Sequence, residues 1–196
     1  MNNRDFFRPK GSLVAAYVAD TLLIGMCIQS FSSQGFADSS RTFAWSALLA
    51  LVVYIVLYRP RIEIFDEGIR IHNPLTTTDV GWQDVDAVEA KYTAFLQLRN
   101  SKRISIWCAS APGRYHARTI HSSEVKGLNF AGFIRPGESP RTDSGVATYL
   151  CRNRLNAYRE SGRSDGFTYR HIQMSALITV MAAAFSVVVA LEVFHA

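Results

Sequence analysis

The sequence predicts a membrane protein of mixed class, with three transmembrane helices and a mainly β, barrel-like domain capped by a helix between the second and third. Three observations predict it. Apolar residues gather in three blocks, while nearly all charge lies outside them. Between the second and third blocks the pattern changes from continuous to alternating, the period of a half-buried strand. Basic residues crowd the block ends that fall on one side and are sparse at the others.

The blocks run from about Leu13 to Phe31, from about Thr42 to Tyr58 and from about Ile172 to Phe194. A hydrocarbon core of about 30 Å needs roughly 20 apolar residues in a helix, with about 17 as the lower limit. The second block is short, but Trp45, Tyr54 and Tyr58 extend it with side chains suited to the lipid–water interface. Ser32 to Arg41 is a short, Ser-rich link, which makes the first two blocks a helical hairpin. The first block is long, contains Asp20 and lacks a small-x-small cleavage site, so it reads as a retained span rather than a signal peptide.

Orientation follows from the flanks. Arg4, Arg8 and Lys10 precede the first span, Arg59 and Arg61 follow the second, and Arg163 and Arg170 precede the third. The opposite side carries only Arg41, near Asp38, and the tail His195-Ala196. Lys and Arg mark the cytoplasmic face. The N-terminus and the domain are therefore expected in the cytoplasm and the C-terminus outside, in a multi-pass protein of the cell membrane.

Asp20 is the charge set deep in a span, about 10–15 Å from the cytoplasmic end by helical rise. Placing a carboxylate there is costly, so a polar partner is expected. Tyr54 on the second span and Thr179 on the third lie at similar depth, and a hydrogen bond from either would help fix the bundle. A proton or ion relay needs a second ionisable group at that depth, and the sequence has none. The alternative function, a subunit of a membrane transport or channel assembly, rests on Asp20 alone. Ala182, Ser186 and Ala190 form a small-residue stripe that permits close helix approach, and a homo-oligomer is compatible with such spans.

The domain begins with Ile62 and Ile64, then Asp66-Glu67-Gly68, then Ile69 and Ile71, the pattern of a β-hairpin with one apolar face. Gly68 is expected to supply the positive φ of a tight reversal. Asn73-Pro74 ends the second strand and Thr76 to Gly81 forms a third. Trp82, Val85 and Val88 lead into the next segment. Phe95, Leu96 and Leu98 pair with Ile104, Ile106 and Trp107 across an Asn100–Arg103 turn. Five or six short antiparallel strands imply a bent sheet or partly open barrel.

Residues 109–139 form a long irregular insertion. It holds Phe130, Phe133 and Arg135, expected as a flap over one end of the barrel rather than a segment dipping into the bilayer. A helix follows, capped by Thr142, Asp143 or Ser144 and ending near Ser161-Gly162. Its apolar face is expected to be Val146, Tyr149, Leu150, Asn153, Ala157 and Tyr158, with Arg152, Arg154 and Arg159 pointing elsewhere.

Between Arg59 and Arg170, 17 Lys and Arg stand against 12 Asp and Glu, a net charge of +5. That suits a place beside anionic lipid. No basic run interleaved with aromatics points to nucleic acid. Cys27, Cys108 and Cys151 show no CxxC or Cys/His spacing, so they read as reduced, structural thiols with no metal site. His116, His121 and Glu124 are the candidates for acid–base or metal chemistry, but their spacing suits neither one helix face nor one strand face. Asp84, Asp86 and Glu89 fit a solvated strand face. There is no Gly-rich phosphate loop, nucleophile elbow or HExxH pattern, and no enzyme activity or cofactor is expected.

The ordered motifs Arg59-Pro60-Arg61-Ile62, Asp66-Glu67-Gly68-Ile69, Asn73-Pro74-Leu75 and Trp82-Gln83-Asp84-Val85 with Val88 resemble the bacterial PH-like domain family, in the type found in actinobacterial low-molecular-weight protein antigens. The match spans roughly Arg59 to Trp107, with Gly68, Pro74, Trp82 and Val85 as its core signature. The resemblance implies a PH-like barrel with a C-terminal helix, commonly beside membrane spans and without catalytic residues. The chain then divides into a tail and transmembrane hairpin (1–58), a PH-like domain (59–165) and a third span (166–196). The acidic Asp66-Glu67 turn disfavours inositol-phosphate binding there. The expected function is a membrane-anchored adaptor or scaffold. It would bind a protein partner, by strand addition or a helix in a groove, or the inner membrane surface through Lys102, Arg103, Phe130, Phe133 and Arg135.

Overall fold

In the computed structural model the described residues are 4–90, 93–110, 142–164 and 166–194. They combine α-helices with two antiparallel sheets, and the chain divides into two compact units.

The first unit is the β domain. Ile62 and Ile64 in β2 (Arg61–Ile64) and Ile69 and Ile71 in β3 (Gly68–His72) are fully buried. Strand alternation turns Glu63, Arg70 and His72 to the other face. The two strands pair antiparallel with Ile62 opposite Ile71, and β4 (Thr76–Gly81) continues the meander with Val80 opposite Ile69. A short 3-10 turn, Trp82–Asp84, carries the chain to the second sheet, formed by β5 (Val85–Ala90), β6 (Thr93–Leu98) and β7 (Arg103–Ser110) in that order. Trp82 is buried, and its indole N–H donates to the Phe65 carbonyl at 3.0 Å, which locks this crossing.

Three features differ from the sequence reading. The strands form two separate sheets, of five and three strands, where a single bent sheet or partly open barrel was expected. Asp5–Phe7, expected as tail, is β1 and pairs antiparallel with β2, Phe6 opposite Glu63. Three residues are too few to show a period, so pattern alone misses them. Gly68 does not adopt positive φ. A Cβ at Gly68 would run into the Val80 carbonyl and meet Phe167 Cδ2 at 2.9 Å, so the residue is small because β4 and Phe167 approach its backbone closely.

Helix α3 (Asp143–Glu160) packs on the second sheet and completes one core with both sheets. Thr142 caps it, Oγ1 accepting from the Gly145 N–H at 3.0 Å. Its buried face is Ser144, Ala147, Thr148, Cys151, Leu155 and Tyr158. Of the expected face, Tyr158 is buried and Leu150 packs on the core, while Tyr149, Asn153 and Ala157 are exposed. Small and weakly polar side chains fill this seam, and an apolar count underrates them.

The second unit is helical. Helix α1 (Lys10–Asp38) runs through most of the segment expected as a link and breaks at Gly35, whose φ of 76° suits glycine alone. Helix α2 (Ser40–Val53) continues as a π-turn over Tyr54–Tyr58, where the Arg59 N–H reaches back to the Tyr54 carbonyl at 2.8 Å. At the hairpin bend Ser30 Oγ lies 3.1 Å from Ser39 Oγ and 3.2 Å from Thr42 Oγ1. By length and composition, Lys10–Ser33 (24 residues) and Ser40–Tyr58 (19 residues) are able to cross a bilayer.

The third block differs. Ile172 belongs to strand β8 (Arg170–Gln173), next to β4 in the first sheet, and helix α4 starts only at Ser175 and runs to Phe194. Among the described residues its apolar stretch, Leu177–Ala190, is shorter than a full span. Helix α4 packs on α2. Its more covered positions are Leu177, Met181, Ala184 and Val188, while Ala182, Ser186 and Ala190 are exposed.

Candidate functional site

Within the helical unit, Tyr17 meets Tyr58 edge-on with ring centroids 5.6 Å apart, and Tyr54 stacks on Tyr58 at 6.5 Å. The π-turn brings Tyr54 and Tyr58 onto one side of the helix end. Asp20 is half-buried, one turn beyond Tyr17. Among the described residues no hydrogen bond joins Asp20 to Tyr54 or to Thr179, which is exposed on α4.

On the outer face of the first sheet, charges of opposite sign face each other across strands. Arg70 Nε and Nη2 donate to Asp79 Oδ1 and Oδ2 at 2.6 and 3.0 Å, a bidentate pair that raises the Arg70 pKa further. Glu63, whose side chain is 3 % exposed, receives Arg4, then Arg61 Nε at 3.1 Å, with His72 Nε2 at 3.4 Å. Cationic partners of this kind offset the cost of taking a carboxylate out of water.

Arg154 on α3 clamps two distant segments. Its Nη2 and Nε reach Asp5 Oδ2 at 2.7 and 3.0 Å, and its Nη1 reaches Asp66 Oδ1 at 2.6 Å. A cleft of about 240 Å³ opens beside it, lined by Asp66, Arg154, Ala157, Tyr158, Ser161 and Arg163. That is below the usual size of a small-molecule pocket. The neighbouring arginines, expected to point elsewhere, grip the edge of β5. Arg152 Nε donates to the Val88 carbonyl at 2.8 Å and Arg159 Nη2 to the Asp86 carbonyl at 2.8 Å. Asn73 does the same for β7, accepting from the Trp107 N–H and donating to the Ser105 carbonyl, both at 2.9 Å. An added strand would have to displace these groups.

Lys102 and Arg103 sit at the β6–β7 turn. Lys102 Nζ donates to Tyr169 Oη at 3.2 Å and lies 5.2 Å from its ring centroid. The Arg103 guanidinium lies 5.4 Å over Phe95 and donates to Gln97 Oε1 at 2.8 Å. Trp107, expected from sequence only as a strand partner, is exposed on the same face. Its alternation with the buried Ile104 and Ile106 was the available signal.

Of the core signature, Trp82 and Val85 are buried and Gly68 is packed against Phe167, while Pro74 is half-exposed in the β3–β4 turn. Phe130, Phe133, Arg135, His116, His121 and Glu124 lie outside the described residues. Among the described residues no group of three His, Cys, Asp or Glu side chains could hold a metal ion. Cys108 and Cys151 are free and buried, and burial pushes both thiols up to about 12. Asp86 is exposed, with Asp84 and Glu89 half-exposed. No family model, no curated protein and no solved structure matches the chain.

Proposed function

We propose that the protein is a membrane-anchored, non-catalytic adaptor or scaffold, a PH-like domain held on the cytoplasmic side of the cell membrane by α1, α2 and α4. Its ligand is a protein partner or the inner membrane surface. The observation that carries the reading is the pairing of β1 with β2 across the two apolar helices. Strand pairing needs both segments in one compartment, so the residues before α1 and the domain after α2 share a side. This agrees with the basic flanks at Arg4, Arg8, Lys10, Arg59 and Arg61.

The surface of α1 supports lipid as its surroundings. Val14, Val18, Leu22, Ile24, Met26, Ile28 and Phe31 are each more than half exposed. Water would penalise such a helix by roughly 25 cal/mol for every Å² of apolar surface. The PH-like reading is supported by the succession of two antiparallel meanders and a helix packed on the second. An adaptor role is supported by charges engaged with one another, as in Arg70 with Asp79 and Arg154 with Asp5 and Asp66. Partner contact then falls to exposed faces rather than to the capped edges of β5 and β7.

The test is reporter fusion combined with crosslinking in native membranes. A reporter inserted after Lys102 should be active only in the cytoplasm, and crosslinking should capture a defined partner or lipid. A reporter active only outside, or a chain recovered in the soluble fraction, refutes the reading.

A further inference from the structure

Strand alternation puts Arg103, Ser105 and Trp107 on one side of β7, all exposed, and Ile104, Ile106 and Cys108 on the other, all buried. Trp107 leaves 54 % of its surface open. A single exposed aromatic needs no explanation. This one shares its face with Phe95, roofed by the Arg103 guanidinium, and stands near a turn where the Lys102 ammonium lies over Tyr169. Aromatic rings beside cations are the chemistry of the headgroup layer, where the ring occupies the interface and the cation meets phosphate.

Charge and chain length choose the occupant. Arg99 is exposed at the same turn and Arg170 follows Tyr169, so four cations stand against Asp84, Asp86 and Glu89 among the described residues nearby. Tyr169 precedes Ser175, where α4 begins, by six positions. Extended chain covers at most about 20 Å over that length. The Lys102–Tyr169 contact is thus tethered within reach of the point where α4 enters lipid, on the reading of α4 given above.

We propose that the outer face of the β6–β7 hairpin, centred on Trp107, Lys102 and Arg103, docks on the anionic surface of the same bilayer that holds the helices. This rests on the membrane reading. The domain would lie against lipid in a fixed orientation, with its other faces left for partners. Each basic residue should change the docking equilibrium constant about fivefold.

The test uses the full chain with Cys27→Ser in nanodiscs of zwitterionic lipid alone or of zwitterionic and anionic lipid in equal parts. A nitroxide at Ser105→Cys reads access to a water-soluble relaxer. Labels at Val18→Cys on α1 and Asn156→Cys on α3 serve as references. The expected result is a several-fold loss of water access at position 105 in anionic discs only, reversed by Lys102→Ala with Arg103→Ala and by high salt, while position 156 stays aqueous. Equal access at 105 in both discs overturns the proposal. So does shielding that follows protein-to-lipid ratio rather than lipid charge, which would assign the face to a second copy. A water-exposed label at position 18 would overturn the membrane reading itself, whereas a lipid-exposed label there with an aqueous 105 removes only the docking.

Discussion

Arg154 and Asp5 stand 149 positions apart in the chain and 2.7 Å apart in the fold. The same guanidinium also holds Asp66 at 2.6 Å, so one side chain on α3 ties the first strand and the β2–β3 turn to the end of the domain. Position 66 was expected to repel anions. Its charge is instead used internally.

Removing that tie should be costly in proportion to what it leaves behind. Arg154→Ala leaves two carboxylates without their cation and should cost about 1–3 kcal/mol. Asp5→Ala should cost less, because the Asp5 side chain is 43 % exposed and partly screened by solvent. A double-mutant cycle by denaturant unfolding in nanodiscs should show coupling between positions 5 and 154. Additive effects would mean that the contact contributes nothing.

Gly68→Ala should destabilise the domain by about 1–3 kcal/mol, because the new methyl group meets the β4 backbone, which cannot move aside. Gly25→Ala, with nothing within 4 Å of its would-be Cβ, should be neutral or slightly stabilising. Near-ultraviolet circular dichroism of the buried Trp82 gives the readout. Equal effects of the two substitutions would contradict close approach as the reason for glycine at 68.

Arg152→Ala with Arg159→Ala should free the carbonyl edge of β5. The expected outcome is faster amide exchange across Val85–Ala90 and concentration-dependent self-association on sizing columns, with a modest loss of stability, about 1 kcal/mol per lost bond. An unchanged elution profile and unchanged exchange would show that the edge is protected by other means.

The two buried thiols set a limit at high pH. An unfolded Cys ionises near 8.5, whereas Cys108 and Cys151 are pushed up to about 12 in the fold. A raised pKa contributes stability that is complete below the unfolded value and lost as pH climbs towards the folded one. Each thiol should therefore withdraw up to about 1.4 kcal/mol per pH unit between roughly 9 and 12. Unfolding titrations of the native chain against Cys108→Ala and Cys151→Ala should show a shallower decline in the variants over that window.

The hairpin of β2 and β3 was legible because one of its faces is wholly core, so Ile62, Ile64, Ile69 and Ile71 alternate without exception. The cap at Thr142 and the end of α3 near Ser161 were legible from capping chemistry. The buried seam of α3 was not, because Ser144, Thr148 and Cys151 are small and only weakly apolar. The start of α4 was misplaced by the apolar Ile172, which a strand uses just as a span would. The arginine clasps on β5 and the Asn73 clasp on β7 depend on tertiary approach, which no local pattern encodes. Of the surface face, Lys102 and Arg103 were visible as a basic turn, and Trp107 only through its alternation with Ile104 and Ile106.

The three residues of β1 also bear on how the protein is made. They leave the ribosome before either apolar helix, while β2 emerges after both; if those helices cross a bilayer as proposed, the sheet closes only in chains whose intervening segment has returned to its starting side. A chain that crossed an odd number of times would strand Asp5–Phe7 beyond reach, leave Glu63 short of Arg4 and deprive Arg154 of one of its carboxylates. On the membrane reading proposed above, correct insertion would thereby be coupled to the stability of the β domain.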